Sequence, residues 1–337
     1  MTSATRARGA LGATLVALLL ATTPASAQTP REHLSIVAPP AVFALAEVAA
    51  ERFAAAGAQA MPVVERLDAE TSLRVFCAGE GARHPDVLAS ARRLTRGDLG
   101  ACAAKGVAVS ELLIGHQAVA LAQNPGPAPL FLTRRQLFLA LAREVPVNGR
   151  LAANPYRLWS DIDFALPVKP IAVVGPPPGS PLRDAFVELI MVPAAAEFPA
   201  LRGREAGALR DDGLFTAPEE DETAVRDALR QRPEAIGIFS YNHLALRGEG
   251  LLSVPLDGVA PSLATVADAN YRAARPVYVY AKPRHATMVP GLEDYLAGLL
   301  GPAASGPEGF LTARGLVPLA PAAAEAQRAA ARSLPPL

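Results

Sequence analysis

Between Leu34 and Gly57 the chain changes its hydrophobic rhythm. LSIVAPP is a short apolar run closed by prolines. In AVFALAEVAAERFAAAG the apolar residues Val42, Leu45, Ala46, Ala49 and Phe53 return at helical spacing, while Glu47, Glu51 and Arg52 fall on the other face. Gly57 is the stop signal. The pattern predicts a strand followed by an amphipathic helix, the unit from which α/β folds are built.

The alternation continues downstream. MPVVERL, LRVFCAG and IGHQAVALAQN have the length of single strands or helices, and a helix is expected around Val87 to Lys105. PVKPIAVVG, from Pro167 to Gly175, reads as a buried strand because Ile171 to Val174 is an unbroken apolar run. From Arg183 a helix carries Phe186, Leu189 and Ile190 on one face. TAVRDALRQRP predicts a helix, AIGIFSYNHL a strand, RPVYVYAKP a strand with alternating aromatics, and PGLEDYLAGLLG an amphipathic helix. From Pro302 the composition turns to Pro and Ala, and residues 326–337 are expected to form a loose tail. No fixed-period repeat is present, which argues against solenoids and propellers.

The N-terminus changes the picture most. Arg6 and Arg8 precede an apolar run from Leu11 to Ala21, and the small-residue site Ala25-Ser26-Ala27 comes next. This is the layout of a secretory signal peptide cleaved after Ala27, the apolar run being shorter than the ~20 residues that span a bilayer. With 51% hydrophobic and 19% charged residues the chain is globular, and a formal net charge of +0 argues against a nucleic-acid surface. The chain has 337 residues, and the part beyond Ala27 is long enough for two ordinary domains. Cys77 and Cys102 are the only cysteines. In an exported chain an even pair points to a disulfide ahead of a metal site or a nucleophile. The histidines show neither HxxxH nor HExxH spacing, so no metal site and no cofactor is expected. Trp159, Tyr241 and Tyr278 are expected to pack at core or hinge surfaces.

Several segments, taken in order, resemble the PstS-like family of periplasmic phosphate-binding proteins that serve the phosphate ABC transporter, within the type II periplasmic-binding-protein superfamily. They are the opening strand and helix, FCAGEGARHPDVLASARR, NPYRLWSDID, IAVVGPPPGSPLRDAFVELIM, LRDDGLFTAPEEDETAVRDAL, AIGIFSYNHL and RPVYVYAKPRHATMVPGLEDYL. The resemblance implies an α/β fold of two lobes with the ligand cleft between them. Lobe one would take 28–114 plus 276–325, and lobe two 115–275. It also implies a monomeric, non-catalytic solute-binding protein in the periplasm, with inorganic phosphate or another small anion as ligand and an inner-membrane ABC permease as partner.

Ligands in open α/β sheets sit where strands end and helix N-termini converge, so the strand-to-helix loops matter most. Where the family's first such loop offers hydroxyls and N–H groups, this chain has Pro39, Pro40 and Ala41; none carries a hydroxyl and the prolines lack the N–H. The family's Ser-Arg pair aligns with Ala91-Arg92, flanked by Ser90 and Arg93. Arg92 either grips an oxyanion as a fork or belongs to a solvated basic face with Arg93 and Arg96. The family's Gly-aromatic-Asp-Gly turn, whose Asp accepts a proton from hydrogen phosphate and repels sulfate, reads Gly115-His116-Gln117-Ala118. Neutral Gln117 weakens that discrimination. The family's Ser-Gly-Thr-Arg-Asp becomes Ser180-Pro181-Leu182-Arg183-Asp184. Ser180 followed by Pro is also a standard helix start needing no ligand. Asp221, in the acidic run PEEDET, aligns with an acidic family loop but also suits a solvated one. The ligand set implied is Arg92, Gln117, Ser180, Arg183 and Asp184. Two other readings stay open: the same cleft taking an organic anion or serving as sensor or scaffold, and an exported hydrolase, for which no Gly-x-Ser-x-Gly elbow is present.

Overall fold

In a computed structural model, residues 1–2, 33–57, 60–126, 129–204, 207–218 and 221–337 are described. All but the first two residues of the expected signal peptide lie outside them. The strands are β1 (Ser35–Ala38), β2 (Val63–Arg66), β3 (Val87–Ser90), β4 (Ser110–Gln123), β5 (Glu144–Val147), β6 (Arg150–Ala153), β7 (Val173–Val174), β8 (Phe215–Thr216), β9 (Ile236–Ser240), β10 (Leu252–Val254), β11 (Ala274–Ala281) and β12 (Leu316–Val317). The principal sheet runs β2-β1-β3-β11-β4-β9-β7-β8, with β10 and β12 both pairing with β4. Strands β5 and β6 form a separate hairpin whose turn residues, Asn148 and Gly149, have φ of 50° and 78°, as an Asn-Gly type I′ turn requires.

Two parallel blocks flank an antiparallel centre. β2, β1 and β3 are parallel to one another, as are β9, β7 and β8. β4 joins the blocks: Ser110 to Ala118 pair with β11, and Val119 to Gln123 pair with β9. The parallel blocks require crossover helices, and the periodic segments supply them. The helices are α1 (Pro40–Ala55), α2 (Ala69–Phe76), α3 (Arg96–Ala103), α4 (Arg134–Leu141), α5 (Trp159–Ile162), α6 (Pro181–Phe186), α7 (Val192–Ala195), α8 (Glu222–Gln231), α9 (Tyr241–Arg247), α10 (Leu263–Ala267), α11 (Leu292–Leu300), α12 (Pro302–Ser305) and α13 (Pro321–Ser333), with α1, α2 and α6 to α8 on the parallel crossovers.

Each block has its own core. Ile36, Val87, Leu112 and Val279 pack with Leu45 of α1 and Leu296 of α11. Phe138, Trp159, Phe186, Ile190, Ile236 and Ile238 form the other. The chain therefore has the two-lobed α/β fold, with β4 and β11 crossing its middle. A disulfide links Cys77, capping α2, to Cys102 in α3, across a sequence separation of 25. A loop of that size contributes about 3 kcal/mol in the chain-entropy account.

Four local expectations are corrected. Val87 to Ser90 form a strand, not the start of a helix: all four residues are buried in a strand paired on both sides, so no alternation marks them. In PVKPIAVVG only Val173–Val174 enter the ladder, since prolines flank the run. The strand in AIGIFSYNHL ends at Ser240, whose hydroxyl caps α9 through His243 N–H, so Tyr241 to Leu244 are helical. The tail is also ordered. Pro321 opens α13, whose Gln327 accepts from the amide of Leu113, while Ala331 and Leu334 are buried and the Leu337 amide donates to Val109.

Candidate functional site

The two parallel blocks end their strands toward a common cleft. On one side, β1 runs into α1 and β3 into the turn at Ala91 and Arg92. On the other, β7 leads to α6, and Ser240 at the end of β9 leads to α9, with the start of α8 alongside. β4 and β11 pass between them, placing Gln117 directly opposite Arg275 in the ladder. Two hollows open here. One, of about 320 Å³, is lined by Pro39, Ala41, Ser90, Arg92, Glu188 and Arg275. The other, of about 300 Å³, is lined by Gln117, Ser180, Leu182, Glu222, Ser240 and Gly315 among others.

The α1 start follows from its prolines. Pro39 is the N-cap, with φ −70° and no side-chain cap bond, and Pro40 is the first helical residue. This turn presents the Ala41 carbonyl to the cleft side, where Arg275 Nη2 donates to it at 2.7 Å. Arg275 is only 9% exposed. Its Nε donates to Gln117 Oε1 at 3.0 Å, and its Nη1 forms an ion pair with Glu188. The guanidinium thus ties together α1, β4 and the turn that carries Glu188. That turn is a π-helical stretch, Val187–Met191, between α6 and α7. Its extra residue turns Glu188 and Leu189 into the first hollow while Ile190 stays fully buried.

Arg92 follows a turn held by Ser90, whose hydroxyl donates to the Arg92 carbonyl at 2.7 Å. Its own Nη1 donates to Asp98 at 2.7 Å. Asp98 belongs to the capping box of α3 with Thr95, and the Arg92 bond is the main reason its carboxyl lies below the usual range. Arg93 pairs instead with Glu111. Arg92 borders the first hollow but is half-exposed and already partnered.

The loop Gly175 to Ser180 starts α6 with little polarity to spare. Ser180 accepts from the Arg183 amide at 3.2 Å, donates from its hydroxyl to the Pro177 carbonyl at 2.9 Å, and so acts as a cap. Arg183 turns back: Nε donates to the Pro176 carbonyl at 2.9 Å and the guanidinium carbon lies 4.5 Å from the Phe215 ring centre. Burial pushes its pKa down. Asp184 is exposed on α6. Of the expected ligand set, Arg92, Gln117 and Ser180 border the hollows, whereas Arg183 and Asp184 do not.

Strand alternation sends Gln117 into the second hollow and His116 to the opposite side, where burial lowers its pKa and favours the neutral ring. Gly115 is required before them, because a Cβ there would meet the Val317 carbonyl of β12 at 2.7 Å. Asp221 caps α8 by accepting from the amides of Thr223 and Ala224, and these bonds, Thr223 first, lower its pKa. Glu222 reaches across to accept from the Ser240 amide at 2.6 Å and its hydroxyl at 2.9 Å. Burial is the larger influence on Glu222 and raises its pKa, against those two bonds. An acidic group therefore occupies a helix start that would otherwise offer N–H groups to an anion.

Among the described residues, no group of three or more His, Cys, Asp and Glu could hold a metal ion, and no helix is long and apolar enough to cross a membrane. Residues 23–300 match the profile of the PBP superfamily domain. The chain belongs to the PBP superfamily. A curated relative in Synechococcus elongatus, Protein SphX, is 24% identical over 251 residues, which cover 73% of this chain and 66% of the relative, just under two thirds of its length. A structure described as that of a possible phosphate-binding protein from Planctomyces limnophilus superposes with a TM-score of 0.70 at 20% identity, covering 89% of this chain and 98% of that one. PstS from Borrelia burgdorferi gives 0.56 at 13% identity, covering 86% and 100%. At these identities the likeness is one of fold.

In a PBP-superfamily cleft, the residues that strand-to-helix loops alone do not reveal are Arg275, Glu188 and Glu222. Arg275 carries a readable signal: it shares the inward parity of Val277 and Val279 in an otherwise apolar strand. Glu222 lies in the charged run after Pro218 and has no such mark. Glu188 depends on the π-turn, which helical spacing does not reveal.

Proposed function

We propose that the protein is an extracytoplasmic solute-binding protein of the phosphate type. It takes inorganic phosphate or a related oxyanion into the cleft, acts by binding without turnover, and delivers the ligand as a monomer to an inner-membrane ABC permease. The N-terminal signal pattern supports export to the periplasm. The names of the structural relatives, a possible phosphate-binding protein and PstS, support the ligand class. We divide the mature chain into lobe one, 28–114 plus 276–325, and lobe two, 115–275, hinged through β4 and β11.

One observation carries the reading: Arg275, nearly buried in the cleft, already holds a carboxylate oxygen, that of Glu188, on its guanidinium. A guanidinium suits phosphate as well as carboxylate. Arg92, on the rim of the same hollow, supplies a second positive charge.

A second reading is favoured by the lining of the other hollow, where Pro176, Pro177, Pro181, Leu182 and Ala185 make most of the wall apolar. An organic phosphorus ligand or organic anion would place its substituent there. Calorimetric titration of the ligand-free mature chain with phosphate, sulfate and then an alkylphosphonate decides between them. Heat with phosphate at one site per chain supports the first reading. Heat with the alkylphosphonate alone moves the assignment to the second. No heat with any of the three contradicts both.

A further inference from the structure

Arg275 combines a fixed charge with a nearly dry setting. Two of its three partners, the Ala41 carbonyl and Gln117 Oε1, are neutral; the negative charge among them is that of Glu188. The two members of the ion pair differ in their access to water. The Arg275 side chain is 9% exposed and the Glu188 side chain 42% exposed. The carboxylate can turn out to solvent, but the guanidinium cannot.

The pair also lies where a ligand would have to go. Glu188 and Arg275 both border the hollow formed by the start of α1 and the turn after β3, with Arg92 on its rim. A carboxylate and a phosphate face offer a guanidinium the same two-oxygen acceptor geometry. The prolines before Ala41 have no N–H to offer an anion, and the helix start directs the Ala41 carbonyl at Arg275.

We propose that Glu188 is the resident anion of the cleft: it occupies Arg275 while the cleft is empty, and an incoming oxyanion binds by displacing it. Glu188 is then the residue that sets oxyanion affinity, acting as an internal competitor joined to the same chain. The inference rests on the reading that the cleft takes an oxyanion. A nearly buried arginine deprived of its counter-ion is unfavourable, so removing the carboxylate creates a demand for an external anion. Displacement also frees the π-turn from α1 and β4, so ligand entry and release of this tether between elements are one event.

The test compares wild type, Glu188→Gln and Glu188→Ala, each titrated calorimetrically with inorganic phosphate and with sulfate, and each melted with and without phosphate. Glu188→Gln keeps the size of the side chain, and Glu188→Ala guards against a misplaced amide. The expected result is phosphate affinity higher by roughly two- to fivefold in both variants, the ceiling that a solvent-screened ion pair sets. Their melting temperatures should be lower than that of wild type in anion-free buffer and should rise with phosphate, and Arg275→Ala in the same background should abolish the gain.

If wild type binds phosphate and both variants bind it equally or more weakly, the resident-anion role is overturned while the proposed function stands. If only the variants bind, the resident-anion role stands and phosphate uptake by the natural protein is contradicted. If no form binds and neither anion shifts the melting of the variants, the inference is overturned.

Discussion

Replacing Arg275 by Ala removes one side chain and three tethers, and the structure allows the cost to be estimated. The hydrogen bonds to the Ala41 carbonyl and to Gln117 Oε1, at 2.7 and 3.0 Å, join a charged donor to neutral acceptors in a half-buried setting. Bonds of that kind contribute about 1.5–3 kcal/mol each when fully buried, less here because both acceptors can regain water. The ion pair adds no more than about 1 kcal/mol, since Glu188 is 42% exposed and is screened by solvent. Together the loss should be about 3 kcal/mol. Arg93→Ala is the comparison: its side chain is 66% exposed and pairs with Glu111, and it should cost less than about 1 kcal/mol. Urea unfolding followed by fluorescence of the single tryptophan, Trp159, reports the lobe around it, and circular dichroism reports the whole chain. If Arg275→Ala costs no more than Arg93→Ala by both probes, the strut reasoning fails.

Arg183→Ala should lower stability by about 1–2 kcal/mol, through the lost bond to Pro176 and the lost stacking on Phe215, yet leave oxyanion affinity unchanged; a titration showing lost binding would return Arg183 to the ligand set. The carboxyl of Asp98 is held below its ordinary value chiefly by Arg92, so its contribution to stability is present above the unfolded value of about 3.9 and is lost as pH falls through the lower folded value. Acid unfolding of Arg92→Ala, followed by circular dichroism, should therefore begin at higher pH than in wild type; an unchanged acid limb would show that the pair adds nothing. With Gln117 in place of a carboxylate, sulfate should bind within about tenfold of phosphate in parallel titrations, and sharp rejection of sulfate would contradict that argument.

Much of the fold was legible because the hydrophobic period changes where the elements change, as from Ser35–Ala38 to Pro40–Ala55. It failed where burial hides the period. Val87 to Ser90 are buried on both faces, so their apolar run carries no alternation and merged with the helical stretch after Thr95. In the C-terminal segment the Pro/Ala composition masks a helix, although Pro321 at a helix start and a run of alanines are helix signals in their own right. At the cleft, the loss of donors at Pro39, Pro40 and Ala41 was visible, as was Ser180 as a possible cap. The partners of Arg92 and Arg183 were not, because Asp98 and the Pro176 carbonyl reach them through turns whose geometry spacing does not encode. Glu188 is the clearest case: one inserted residue in a helical turn decides whether it faces water or Arg275.

The most direct measurement is a side-by-side calorimetric titration of wild type and Arg275→Ala with inorganic phosphate, after circular dichroism has shown that both are folded. Binding by wild type at one site per chain and none by the variant is the predicted result. Equal phosphate affinity in the two proteins would contradict the claim that the ligand is held at Arg275.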